Sequence, residues 1–280
     1  MRGNIFLQLL HAPDRKSRLR QEVSKNRRRI ARLFTRAAAP SSKHFKLVSC
    51  QGLDLLLDPS SLVDFHFLNS GYWEKDQLDT MTSAILGEPD HTSSIFLDIG
   101  AYWGLYGLKA HQSGISEVHF FEPDPRNRAQ LYTQLFLNNL QSAVHVHEFA
   151  ASDHVGTMQF RRSETIKGGN RGHAGRADFD KSDGFCVPCQ PIDNEIGFKN
   201  RTIFCKIDVE GAELQVLNGM TNLIKNNKVF IQVETFEDNI DQVRECASRL
   251  GLTFLKRVGV DDFYRNFTPK NAANTEKPTV

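Results

Sequence analysis

"FLDIGAYWGLYG", residues Phe96 to Gly107, is an apolar run that stops at an acid, turns through glycine and resumes as apolar residues. That pattern reads as a buried strand passing through a tight turn into a helix, the opening of a nucleotide-type α/β unit. Its glycines fall at 100, 104 and 107. A dinucleotide fingerprint places its middle glycine where backbone must approach a pyrophosphate. Tyr102 occupies that position here, and a large side chain there works against NAD. Asp98, two residues before the first glycine, ends the strand with a carboxylate that suits a positively charged ligand better than a diphosphate. S-adenosyl-L-methionine carries an α-ammonium and a sulfonium and has no phosphate, so it is the better fit.

Working outward, the same rhythm repeats. "EVHFFEP" precedes "PRNRAQLYTQLFLNNL", "TIFCKIDV" precedes "GAELQVLNGMTNLIKNN", and "KVFIQVE" precedes "NIDQVRECASRLG". "AVHVHEFAAS" supplies a further strand, and "TFLKRVG" and "DDFYRNF" read as two closing strands. Near-continuous apolar strands alternating with amphipathic helices predict a mostly parallel sheet covered on both faces, with ligands at the carboxyl ends of its strands. Upstream, "HFKLVSC" and "LDLLLDP" around Gln51-Gly52 read as a β-hairpin covering one edge of the core. In the following stretch a helix is expected with Leu78, Met81, Ile85 and Leu86 on one face and Gly87 as its stop.

The overall charge of +2 is unevenly spread. Residues 1–43 hold twelve Lys/Arg against Asp14 and Glu22, a net +10 that leaves the rest of the chain at −8. Within this arm Leu19, Val23, Ile30 and Leu33 or Phe34 share a helical stripe among arginines. Residues 15–36 therefore read either as a helix lying peripherally on an anionic membrane face or as a solvated arm packed by its narrow stripe. "IFLQLL" is too short for a signal peptide and no run reaches the length of a membrane span. The five scattered cysteines argue against a disulfide framework and for a reducing, cytoplasmic compartment, with Cys186 and Cys189 as ordinary thiols. Residues 161–184 form a long polar loop whose Arg161, Arg162, Lys167, Arg171 and Arg176 offer contacts to an acceptor. The tail, 271–280, is expected to be disordered, which leaves a catalytic domain over 44–270.

Chemistry concentrates at the strand ends. Glu122, eighteen residues after Gly104, stands where a nucleoside-binding sheet sets an acid on the ribose hydroxyls. Asp124 and Pro125 are an N-cap and first helical residue. "CKIDVEGAE" sets Lys206, Asp208 and Glu210 in alternation near the first loop, where an acceptor meets the methyl group. Asp208 and Glu210 are the candidate catalytic acids, one orienting the acceptor and one removing its hydroxyl proton. Together with Glu234 they could instead bind a divalent cation, although their spacing is not that of a metal motif and no resident metal is expected. Lys206, Glu234 and Arg171 are candidates for contact with the acceptor, and Glu213 serves the first turn of its helix.

These stretches together resemble the FkbM-like family of S-adenosylmethionine-dependent methyltransferases. The matching text is "GYWE" (71–74), "FLDIGAYWG" (96–104), "HFFEPDP" (119–125), "AASDHVG" (150–156), "PID" (191–193), "KIDVEGAELQVLNG" (206–219) and "QVE" (232–234), in order over residues 45–265. The resemblance implies a Rossmann-like, class I seven-stranded sheet with one antiparallel strand, and O-methylation, often of a sugar or polyketide hydroxyl. It further implies that Asp98, Gly100, Ala101 and Gly104 bind the cofactor, the first three at its methionine end, and that Glu122 meets the ribose. Ala151 to Asp153 would meet the adenine edge, with Glu74 closing over the cofactor. The family usually has Asn after Gly-Ala, where this chain has Tyr102 followed by Trp103. One of these two aromatics is expected in the core and the other at the edge of the pocket.

The sequence thus points to methylation of a hydroxyl on a saccharide or glycolipid precursor, at the cytoplasmic membrane face, with no nucleic-acid partner. An NAD-linked oxidoreductase and a non-catalytic membrane-associated scaffold are the competing readings.

Overall fold

The computed structural model describes residues 45–161 and 184–268. The expected basic helix in 1–43, Arg171 and its neighbours in the long loop, and the tail 271–280 lie outside the described residues.

The chain enters through a hairpin, β1 (Lys46–Cys50) and β2 (Leu53–Leu57), joined by Gln51 and Gly52 at φ 52° and 76°. Two left-handed residues give the tight turn whose twist matches paired strands. This hairpin is a separate two-stranded sheet whose Leu53, Leu55 and Leu57 are buried in the core with Phe120 and Leu131, so it covers an edge of the core as expected. After helices α1 (Leu62–Ser70) and α2 (Lys75–Leu86) come β3 (Ile95–Ile99), α3 (Leu105–Gln112), β4 (Glu117–Phe121), α4 (Pro125–Leu137) and β5 (Val144–His147). The outer edge of β2 is bonded by side chains of α4. Gln134 Oε1 accepts from the Leu56 N–H at 2.8 Å, and the Gln130 and Gln134 amides donate to the Leu56 carbonyl at 2.9 and 2.8 Å. Polar helix residues thus satisfy a strand edge that would otherwise be open.

Next, β6 (Ala150–Ala151), β7 (Gly156–Arg161) and β8 (Gly184–Gln190) make a small three-stranded sheet in the order β6-β8-β7, which the sequence pattern does not announce. The remaining elements are α5 (Ile192–Glu195), β9 (Thr202–Ile207), α6 (Glu213–Asn218), α7 (Thr221–Asn226), β10 (Lys228–Glu234), α8 (Ile240–Arg249), β11 (Thr253–Val258) and β12 (Asp261–Arg265).

The main sheet has seven strands in the order β11-β12-β10-β9-β3-β4-β5. β10, β9, β3, β4 and β5 run parallel, and β12 is antiparallel to both of its neighbours. Alternation along the strands sorts residues by face. Phe96, Phe120, Phe204, Phe230 and Phe263 pack on one side with Met81, Ile85, Leu108 and Leu131. Leu97, Cys205 and Ile231 pack on the other with Val216, Leu217 and Val243. Leu86, expected on the buried face of α2, is 58% exposed, because the helix ends there and its last residue turns away from the sheet. Cys186 is exposed and Cys189 buried, both free, on opposite faces of β8 as a three-residue strand offset requires. From β3 the chain builds outward to β4 and β5, then returns to lay β9 and β10 on the other side. The switch in direction therefore falls at the carboxyl ends of β3 and β9.

Candidate active site

A cavity of about 360 Å³ opens at that switch point. Gly100 (φ 80°) starts the turn after β3, and a Cβ there would collide with the Asp208 carbonyl, so only glycine lets the ends of β3 and β9 approach. Gly104 (φ 91°) begins α3 against Leu131 and Phe120 and does not line the cavity. In this structure Gly104 is a packing position. Asp153 also lies outside, exposed and hydrogen-bonded to His154 at 2.8 Å, whereas Ala150 and Ala151 line the wall. The cavity brings together Glu74, Asp98, Gly100, Ala101, Glu122, Ala151, Lys206, Asp208, Glu210 and Glu234.

The acids follow the spatial order of the strands: Glu234 on β10, Asp208 after β9, Asp98 on β3 and Glu122 after β4. Asp98 Oδ2 accepts the Gly107 N–H at 2.8 Å inside the first turn of α3. Burial pushes its carboxyl up to about 7, against that hydrogen bond and the Lys206 charge. Glu122 accepts the N–H of Tyr102 on Oε2 and of Asp124 on Oε1, both at 2.8 Å, and burial pushes it up to about 8. Glu74, held at φ 47°, accepts from the Tyr106 hydroxyl at 2.9 Å, and Tyr106 in turn accepts from Gln232 at 2.9 Å. Glu234 is pushed up to about 11 by burial and by Asp208 beside it.

Lys206 is not free to meet an acceptor. Its ammonium is 2% exposed and donates to Asp261 at 2.6 Å, with Asp208 at 3.7 Å and Glu74 at 3.9 Å. Burial alone would lower its pKa, but the carboxylates of Asp261, Glu74 and Asp208 outweigh burial and keep it charged. Glu210 (φ 55°) sits in the turn beyond β9, and Glu213 accepts the Gly211 N–H at 2.9 Å at the start of α6. Both aromatics line the cavity, Trp103 as a fully buried ring edge-on against Phe67 and Tyr102 as a half-buried one, so the expected division between core and pocket is only partial. Oxygens of Glu74, Asp208 and Glu234 lie within 4.8 Å of one another and could hold a cation, with Glu74 rather than the expected Glu210 as the third acid.

Tyr106, Gln232 and Asp261 escaped the sequence reading. Tyr106 looks like one more apolar residue of α3, and Asp261 reaches Lys206 only through the antiparallel return of β12.

The donor set favours a cationic ligand. Six acidic side chains and a single ammonium, itself paired with Asp261, line the cavity among the described residues; burial keeps Glu122 and Glu234 protonated at neutral pH, and a cationic ligand draws out the charge of the raised acids. A pyrophosphate would meet repulsion, whereas a sulfonium with an α-ammonium would be attracted.

Residues 98–254 match the family described as methyltransferase FkbM domain. No curated protein matches the chain. Among solved structures it is similar to a SAM-dependent methyltransferase from Agrobacterium tumefaciens, at 9% identity and TM-score 0.47 over 82% of this chain and 72% of that one. A second is a putative SAM-dependent methyltransferase from Streptococcus mutans, at 9% and 0.47 over 81% and 56%. A third is a putative RNA methyltransferase from Pyrococcus horikoshii, at 12% and 0.41 over 68% and 83%.

Proposed function

The chain belongs to the methyltransferase FkbM domain family, and from that premise we propose that it methylates a hydroxyl of a saccharide or glycolipid precursor with S-adenosylmethionine as donor. The observation that carries this reading is the row of carboxylates across the strand ends, which favours a cationic, phosphate-free cofactor and leaves acids over for the acceptor.

Glu122 binds the ribose hydroxyls, and Ala150 and Ala151 form the wall beside the adenine. Asp98 and Glu74 face the positive charges of the methionine end. Bound S-adenosylmethionine supplies an electrophilic methyl group on its sulfonium. Asp208, beside Asp98, receives the acceptor's hydroxyl proton, and Lys206 at 3.7 Å stabilises its charge before that transfer. Glu210 and Glu234 accept hydrogen bonds from or donate them to neighbouring hydroxyls, and the half-buried Trp73 offers a flat apolar wall to a sugar face. Carboxylates beside an aromatic wall suit a polyhydroxylated acceptor, because each carboxylate accepts more than one hydroxyl.

No described helix is long and apolar enough to cross a membrane. The +10 arm, through residues 15–36, brings the enzyme to the anionic membrane face where lipid-linked acceptors reside. The test is incubation of the full chain with isotopically labelled S-adenosylmethionine and fractionated cell-envelope glycans, followed by mass analysis. Label on a glycan oxygen supports the proposal. Label confined to protein, nucleic acid or nitrogen overturns it.

A further inference from the structure

Tyr102 stands in a left-handed conformation (φ 53°) that costs a bulky residue on the order of 1 kcal/mol and that glycine would adopt freely. Its two ends do different things. The backbone N–H donates to Glu122 Oε2 at 2.8 Å, one of two backbone N–H groups that, with the Asn127 side chain, hold that carboxyl. The phenol reaches the start of α1, where it donates to Asp64 Oδ1 at 2.8 Å and lies 2.7 Å from the Ser61 hydroxyl. A phenol has one proton, and Asp64 takes it, so Ser61 is the donor in the second bond.

The anchor is firm. Asp64 is fully buried, and its other oxygen accepts the Asp58 N–H and the Gln130 amide, both at 2.7 Å. Ser61 occupies the N-cap position of α1, yet its side chain makes no capping bond to the helix. The hydroxyl that would ordinarily cap α1 is spent on the cofactor loop.

We propose that Tyr102 is a positioning residue: the Ser61–Asp64 anchor clamps its phenol so that its strained backbone presents an N–H to Glu122 and aims that carboxylate at the ribose. The proposal rests on the reading of the cavity as an S-adenosylmethionine site. It also gives a role to the residue that departs from the family's usual Asn, and it ties the opening of α1, whose Leu62 and Val63 line the cavity, to cofactor recognition.

The experiment compares binding of S-adenosylhomocysteine and its 2′-deoxyribose analogue to the full chain by calorimetry, for the wild type, Tyr102→Phe and Ser61→Ala. The wild type is expected to prefer the ribose form by about tenfold, the order of one hydroxyl–carboxylate hydrogen bond. Both variants are expected to bind S-adenosylhomocysteine more weakly and to lose most of that preference. Weaker binding with the ribose preference intact would make Tyr102 merely structural and overturn the proposal, as would a wild type that binds both ligands alike. A wild type that binds neither ligand would overturn the cofactor reading itself. If Tyr102→Phe does not fold, Ser61→Ala, which removes one hydroxyl and no ring, decides the question alone.

Discussion

Replacing Lys206 by Met should unfold the site from within. The ammonium lies 2.6 Å from Asp261, which is fully buried, and 3.7 and 3.9 Å from Asp208 and Glu74. At an effective dielectric of about 20 the attraction to Asp261 alone is about 6 kcal/mol before desolvation is counted, and each of the other two contacts adds about 4 kcal/mol. Desolvating the ammonium and crowding three carboxylates around it consume most of that sum. Methionine fills the volume but leaves those carboxylates without their cation, with Gln232 donating to Asp261 at 2.9 Å as partial compensation. Removing one partner of a buried pair costs about 3–5 kcal/mol. Urea unfolding at neutral pH is the assay, with an unchanged m-value as the sign that only stability has moved. The double variant Lys206→Met/Asp261→Leu should recover a large part of the loss, since it removes the stranded charge with its partner. A single variant within about 1 kcal/mol of wild type, or a double variant no better than the single, would refute the reasoning.

Three further outcomes are expected. Glu122→Gln places an amide where two backbone N–H groups donate. It should weaken S-adenosylmethionine binding at least about tenfold by calorimetry, as for a charged hydrogen bond lost. Because burial raises Asp98 to about 7 and Glu122 to about 8, the free protein holds protons that a cationic ligand expels. Affinity should therefore rise between pH 6 and 8.5, with proton release visible as a buffer-dependent binding enthalpy. On β4, burial and the neighbouring His145 and His147 depress His119 to about 3, while an unfolded histidine titrates near about 6.5. Its contribution to stability is complete above that unfolded value and is lost as pH falls toward 3. The stability difference between wild type and His119→Leu should therefore shrink on acidification, by at most about 1.4 kcal/mol per pH unit. A pH-independent difference in urea unfolding would contradict it.

The legible part of this molecule is whatever a short stretch of chain fixes by itself. "IFLDI", "TIFCKI" and "KVFIQVE" alternate phenylalanine with aliphatics, and the structure puts the phenylalanines on one face and the aliphatics on the other. Acids at the ends of strands, before glycine at Asp98 and Asp208 and before Pro123 at Glu122, are legible locally, and all three line one cavity. What stayed hidden depends on distant register. Lys206 looks like a free cation from its alternation with Asp208, and only β12, returning antiparallel beside β10, buries it against Asp261. Gly104 looks like part of a ligand loop, yet the side chains of Leu131 and Phe120 decide that it is a packing position. The alternation of the hairpin shows that one of its faces covers the core, but not that its open side is satisfied by glutamines of α4, 74 and 78 residues further along the chain. Tyr102 was legible as a departure from pattern, but its partner Asp64 lies 38 residues away.

S-adenosylmethionine is held by a row of acids at the strand ends, buried at β3 and β4 and half-buried at β9 and β10. Calorimetric titration of the full chain with S-adenosylmethionine and with NAD, for wild type and Asp98→Asn, tests it most directly. Wild type should bind S-adenosylmethionine and not NAD, and Asp98→Asn, which keeps the shape and loses the charge, should bind far more weakly. Binding of NAD by the wild type, or S-adenosylmethionine affinity unchanged in Asp98→Asn, would contradict it.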